Sequence, residues 1–488
     1  MDKNPLIIKY LVVGITLLFL GTTIVPSPAQ DTEKSLLPTS SGKWLYVGGS
    51  GPGNYTRIQN AIKDSKDGDT IFVFAGTYYE NILIKKAINL LGENANTTTI
   101  IDNFSGNEST IAIQHSNVIV KGFTIKGEQT FYAIGLYSNY ITVQGNHISS
   151  DEGIYVGSSS NSILYNNITG YGLPGSLTGC GIYIDSIFSN NIIEHNSIFS
   201  GNGISIPGNH NFINDNLIVQ DDCTILYGGS LNVISNNTFR GSGLLLNGVP
   251  EDIIVSNNTV NGKPLVFLDN TSNRVIDYDT GQGILVRCEN VTVENQNFSH
   301  APCCIQVFAS KHCQIVNNTI SYCYGEFGSD SGIAIYYSDT IMVIDNTIYS
   351  SNIQIGQWDF GYNNNIIVSR NTYRSTELGY YGINIRNTYN CTLSYNNLVN
   401  TYLELVFYDR NCKIYSNNFI NSSYINIEVG HFPHITFNHN YWEKPRLFPK
   451  FIFGITEKFG GDYPEQVLPW LFIDWHPAQK PYDIPSTS

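Results

Sequence analysis

Leu231–Phe239 reads LNVISNNTF, and its frame returns along most of the chain. Asn237 stands three residues after Ile234 and two before Phe239. Val255/Asn258/Val260, Ile315/Asn318/Ile320, Leu393/Asn396/Leu398 and Ile414/Asn417/Phe419 repeat that spacing, and Asn146, Asn166, Asn196, Asn216, Asn346 and Asn371 hold the same place. Intervals of 20 or 21 residues separate neighbours such as Asn196, Asn216, Asn237 and Asn258. A fixed period of that length with no helical pattern inside it predicts a stacked solenoid.

Each period holds short alternating runs, such as GIAIY at 332–336 and IMVI at 341–344, broken by Asn, Ser, Gly and Asp. These read as strands of three to five residues joined by tight turns. Three such strands fill one coil of a parallel β-helix, with inward Ile, Val, Leu and Phe stacking about 4.8 Å apart. Asn suits the recurring corner, because it tolerates left-handed backbone angles and its amide can bond along the axis. Parallel crossovers are right-handed. The frame thus predicts an all-β, right-handed parallel β-helix solenoid of roughly 15 coils, about 70 Å long.

The Asn-Asn-Thr-Ile repeats resemble the right-handed β-helix repeats of pectin-lyase-like proteins. They are most similar to the NosD-like group, whose repeats are also described as carbohydrate-binding and sugar-hydrolysis repeats. GDTIFVFAGTYYEN at 68–81, NGKPL at 261–265 and NYW at 440–442 support the likeness, which covers residues 44–442. It implies the fold; function must come from a site, because this fold hosts enzymes, adhesins and accessory proteins alike.

Lys and Arg number 26 against 40 Asp and Glu, a formal charge of −14, which excludes the basic stripe of a nucleic-acid surface. Lys3 and Lys9, the apolar run Tyr10–Leu20 and the small residues Ser27–Ala29 make residues 1–29 a signal peptide or N-terminal anchor. Residues 30–43 form a tether, residues 44–440 the β-helix and residues 441–488 an irregular cap rich in Pro and Trp. TRIQ at 56–59 reads as a capping box that opens a short helix over the first coil. Departures from the period also matter. Asn258 to Gln296 spans 38 residues, room for an extra short coil or a protruding loop at 261–282.

Several constellations are candidates for chemistry. Asp221 and Asp222, in QDDC at 220–223, resemble a catalytic motif of polygalacturonases, and paired acids suit glycoside hydrolysis. The accompanying motifs of that family are missing: FSGNG at 199–203 and FRGSG at 239–243 stand in their places. A lyase would need Ca²⁺ and a base; Arg386 and Arg410 instead lie near Glu404 and Asp409, as in surface ion pairs. Cys303, Cys304, Cys313 and His312 are soft ligands that crowd one region, and the NosD resemblance brings copper to them. Cys391 and Cys412, 21 residues apart, are expected to stack within disulfide reach. Asn-x-Ser/Thr sequons, such as those at Asn54, Asn270 and Asn390, are acceptors for glycosylation in an exported chain.

Residues beyond the period gather in loops that carry Tyr322, Tyr324, Glu326, Asp330, Trp358, Asp359, Tyr380 and Tyr381. Aromatic faces beside carboxylates suit sugars, which present C–H faces and hydroxyl edges together. The expected protein is an exported or cell-surface monomer that recognises a polysaccharide or other glycan, with no nucleic-acid partner and membrane contact only through the N-terminal segment. A polysaccharide hydrolase or lyase and a NosD-like accessory protein for copper handling are the competing readings.

Overall fold

Ile141–Gln144 and His147–Val156 show how one period becomes one coil. The first strand lies on one face. The second bends between Ser150 and Glu152, so its two halves supply a second and a third face. Ser162–Leu164 then opens the next coil on the first face, directly above Thr142–Gln144 and parallel to it. The structure is a computed structural model that describes residues 42–484, apart from 104–107, 172–178, 220–223, 227–228, 324–330, 357–360, 377–381, 408–410, 422–423, 431–433 and 460–463. It is a β-solenoid of about 16 turns with one helix. Residues 1–41, where the sequence predicts a signal peptide or N-terminal anchor and most of the tether, lie outside the described residues.

Inward positions of all three faces stack into one continuous apolar core of Ile, Val, Leu and Phe, for example Ile163, Ile193, Ile213 and Ile234, all fully buried. The corner between the first and second faces carries the repeated Asn. The side-chain oxygen of each accepts both the backbone N–H and the amide N–H of its predecessor, as in Asn166 to Asn196 at 2.9 and 3.0 Å. This column runs from Phe123 through Asn146 to Asn258, then from Gln296 through Asn318 to Asn440. A second column, Asn161, Asn191, Asn211 and Asn232, lines the corner before the first face.

Two roles that the sequence assigned to one Asn belong to adjacent residues. The left-handed residue is the one before the ladder Asn: Tyr165, His195, Asp215, Asn236, Asn257, Asn317 and Asp345 all have φ between 53° and 58°. The ladder residue itself keeps ordinary angles, which is why the motif reads Asn-Asn where the first position is also favourable. Leu231 has φ 58° before Asn232 and is 45% exposed. A left-handed backbone costs such a side chain about 1 kcal/mol. Leu231→Asn is therefore expected to stabilise the fold by about 0.5–1 kcal/mol in denaturant unfolding.

The long interval after Asn258 is an extra, two-sided coil. Thr259–Val260 turns through Asn261 and Gly262 into an antiparallel partner, Lys263–Asp269, which starts a new third face. Ser272–Ile276 resumes the first face, and no second-face strand separates it from Gln282–Val286. Leu244–Leu246, the last third-face strand below this break, therefore lacks a ladder neighbour above it. Side chains take that place: Gln282 exchanges two bonds with the Leu244 backbone (3.0 and 2.8 Å), and Gln306 bonds Leu246 N–H (2.9 Å) and the Leu244 carbonyl (2.7 Å). On the second face, the Asn261 amide bridges to the carbonyls of Ser299 and His300.

Both ends are closed, though not as the sequence suggested. Helix Ile58–Asp64 has Arg57 at its N-cap with no side-chain cap bond, so TRIQ is not a capping box. Glu80, from the following coil, accepts the N–H groups of Ile58 (2.8 Å) and Gln59 (3.0 Å) instead. The C-terminal cap is more regular than its prolines implied. Lys450–Phe459 and Pro464–Asp474 form an antiparallel hairpin on the last coil. Pro464 and Pro469 fit because their strand meets the rod only at Phe437–Asp474, leaving one edge free of ladder bonds. Asp474, fully buried, ends the Asn column by accepting from Asn440 N–H (2.9 Å) and Nδ2 (3.1 Å) and from Trp442 Nε1 (3.0 Å).

Cys391 and Cys412 are register neighbours joined by a disulfide, with Cα atoms 4.6 Å apart. Closing a loop of 21 residues stabilises by about 3 kcal/mol in the chain-entropy view. The double variant Cys391→Ala/Cys412→Ala should melt below the oxidised protein by that order and match the wild type once both are reduced.

Candidate tyrosine–carboxylate site on the third face

The third face is where the corners lengthen. All of the internal segments outside the described residues, except 460–463 in the terminal hairpin, connect into or out of its strands. Asp221 and Asp222 fall in one of them, before Thr224–Leu226. Tyr324, Glu326, Asp330, Trp358, Asp359, Tyr380 and Tyr381 fall in others and likewise lie outside the described residues. Tyr322 is described: it is 44% exposed, has a left-handed φ of 53° and stacks on His300 at 5.5 Å, at the end of a second-face strand.

Outward side chains of the third face meet in two groups. The first is a tyrosine row. Tyr155 and Tyr183 are register neighbours on Ile154–Val156 and Cys180–Ile184, with centroids 6.0 Å apart and rings 15° from parallel. Tyr132 lies 4.9 Å from Tyr155 on the other side, and Tyr137 lies 5.7 Å from it. Gly135 opens the space, since a Cβ there would stand 2.5 Å from the Tyr137 ring. The rings are half-buried, each leaving part of its surface to solvent.

Carboxylates edge this row. Tyr155 donates its hydroxyl to Asp185 at 3.0 Å. Burial, then the Asp185 bond, pushes the Tyr155 phenol up to about 12. Glu152 is 6% exposed, pairs with Tyr132 in register and shares a hydrogen bond with it. Burial dominates its titration and, with Asp151 adding to it, raises the carboxyl to about 7 against the lowering effect of the Tyr132 bond. Ser205 follows Tyr183 in register and buries a hydroxyl oxygen with no hydrogen-bond partner among the described residues. A buried polar atom of that kind is where a water or a ligand hydroxyl completes the pairing.

The sign of the Glu152 effect follows from its raised pKa. The unfolded carboxyl ionises near 4.5 and the folded one near 7, so the folded chain holds the extra proton between those values. Stability from this group is full below about 4.5 and falls as pH rises through about 7. Between pH 5 and 8 the wild type should lose on the order of 2–3 kcal/mol relative to Glu152→Gln, read from paired denaturant melts.

The second group is a column of polar side chains in register, Gln306, Gln354, Asn384, Glu404 and Asn426, interrupted only by Ala334. Its polar members already have partners, Gln354 through the Gly356 carbonyl. Arg386 donates to Glu404 (2.8 Å) and Asn384 (3.0 Å), Asn426 donates to Glu404 (3.3 Å), and Gln306 belongs to the junction described above. The Arg386–Glu404 pair ties the strands Gly382–Arg386 and Tyr402–Phe407 of adjacent coils together.

The soft residues are dispersed. Cys304 is bonded to Cys323. Cys303 is buried, its thiol turned to the Ile305 carbonyl at 3.4 Å. Cys313 is buried, with its thiol pushed up to about 11 by burial, whereas its neighbour His312 projects from the opposite side toward Glu289 at 3.8 Å. Among the described residues no group of three or more His, Cys, Asp or Glu could hold a metal ion. These four residues do not fit a copper centre.

Sequence reasoning passed over Tyr132, Glu152, Tyr155, Tyr183 and Asp185. The available signal was GIYV at 153–156 against GIYI at 181–184: the same alternation with Tyr at the outward place.

Known proteins place the chain as follows. Residues 268–454 match the family model described as periplasmic copper-binding protein (NosD), and residues 86–239 match the right handed beta helix region. A cell surface glycoprotein of Methanothermus fervidus is 39% identical over 90 residues, which are 18% of this chain and only 14% of that relative. Among solved structures, an alginate lyase from Paenibacillus sp. strain FPU-7 is 15% identical with a TM-score of 0.30, over 71% of this chain and 99% of its own. The catalytic domain of a GH87 alpha-1,3-glucanase, solved with tetrasaccharides, is 15% identical with a TM-score of 0.39, over 76% and 70%. With the solenoid and its ladders in view, the chain is a right-handed β-helix repeat protein.

Proposed function

We propose that the protein is an extracytoplasmic surface β-helix that binds a polysaccharide or glycan along its third face. The row of Tyr132, Tyr155 and Tyr183, edged by Glu152 and Asp185, carries this reading. Partly open phenol rings spaced along a sheet receive successive sugar faces, and carboxylates beside them accept sugar hydroxyls. Two disulfides suit an oxidising compartment, and the descriptions of the relatives, periplasmic and cell-surface, agree with it.

The test is binding of the purified protein to a panel of immobilised neutral and acidic polysaccharides. Tyr155→Ala with Tyr183→Ala should weaken retention at least tenfold, because each stacked ring contributes about 1 kcal/mol or more. Trp358→Ala and Tyr381→Ala test separately the segments 357–360 and 377–381. Retention unchanged in the tyrosine pair, with a lowered melting temperature, would make the row structural.

A further inference from the structure

We propose that the outer face of the C-terminal hairpin docks on an anionic lipid surface. Ile452 and Phe472 point into the rod and are buried, while their neighbours point away from it. Phe453 and Leu471 are cross-strand partners, 77% and 44% exposed, beside Phe451 at 49%. Leu447 (94%), Phe448 (77%) and Trp475 (62%) flank the two strands. Taking ~200 Å² for a fully exposed large apolar side chain, these six expose roughly 800 Å². That exceeds the largest apolar patch of an ordinary monomer, roughly 300–600 Å².

Charge chooses the occupant. The chain carries −14 overall, yet Lys444 and Arg446 stand beside this face with Glu443 as the one acid between 443 and 453. Lys450, whose cross-strand partner is the buried Asp474, lies on the inward side, 5.6 Å over the Trp442 ring. A two-fold pairing of two copies would set Lys444 and Arg446 against their own images. Anionic headgroups neutralise them, while projecting Leu, Phe and Trp side chains enter the headgroup–acyl boundary. No helix among the described residues is long and apolar enough to cross a membrane, so this contact is peripheral and additional to any made by the N-terminal segment.

The full chain is mixed with vesicles of brominated phosphatidylglycerol and phosphatidylcholine in roughly equal parts. Emission of Trp475, isolated by difference from Trp475→Phe, should be quenched in these vesicles and not in pure phosphatidylcholine. Phe448→Ser with Phe453→Ser should abolish that quenching at an unchanged melting temperature. Lys444→Glu with Arg446→Glu should remove the preference for anionic lipid. The full chain has its own apolar N-terminal segment, so quenching of Trp475, rather than sedimentation with vesicles, is decisive. Absence of quenching overturns the proposal. So does a lipid-free doubling of mass that the serine pair abolishes, which would assign the face to a second copy.

Discussion

Replacing Gln282 and Gln306 together with leucine is expected to divide unfolding into two transitions. In a solenoid each coil touches only its neighbours, so cooperativity passes through every interface in turn. At the break above Leu244–Leu246 much of that interface on the third face is made by two carboxamides, through four hydrogen bonds of 2.7–3.0 Å. Both glutamines are fully buried. Leucine keeps the approximate volume but leaves Leu244 N–H, Leu244 C=O and Leu246 N–H without these partners. Each such group costs about 1–3 kcal/mol, so coupling falls on the order of 3–6 kcal/mol. Calorimetry should show one transition in the wild type and two in the double variant. One sharp transition in both would mean that the second-face bridge through Asn261 suffices.

Asp474→Ala is expected to cost about 3–5 kcal/mol and to loosen the last coils first. The carboxylate accepts five hydrogen bonds, from the backbone N–H groups of His439, Asn440 and His476, from Asn440 Nδ2 and from Trp442 Nε1. All five partners are donors, so Asp474→Asn should also fail, since its amide nitrogen must face one of them. Hydrogen exchange at Asn417 and Asn440 measures the local effect. Protection equal to the wild type in both variants would show that the hairpin packs independently of its carboxylate.

The sequence made the solenoid legible because its defining interactions repeat. Asn237 means little alone, but the same residue at Asn216 and Asn258 fixes the period and the corner. Cys391 and Cys412 were readable for the same reason, since equal places in consecutive periods become neighbours in space. What occurs once was hidden. Nothing near TRIQ announces that Glu80, over twenty residues later, caps the helix. Gln282 and Gln306 look like ordinary strand residues until the missing second-face strand leaves a backbone edge for them to satisfy. The tyrosine row was obscured because Tyr132, Tyr155 and Tyr183 sit inside regular alternation, whereas attention goes to the insertions, where Trp358 and Tyr381 stand out.

Within each stretch of the Asn column, from Asn146 to Asn237 and from Asn318 to Asn440, every carboxamide donates one N–H toward the C-terminus and accepts from the N-terminal side, so the side-chain dipoles add as peptide dipoles add in a helix. The rod therefore has a chemical sense, with partial positive charge gathering at the end where Asp474 waits as its counter-charge. Within either stretch an interior link is interchangeable with its neighbour, and a whole coil can be duplicated or excised without reversing the sense. The terminal carboxylate is different: it is the single place where the column meets an ion, and moving it to the other end would set like against like.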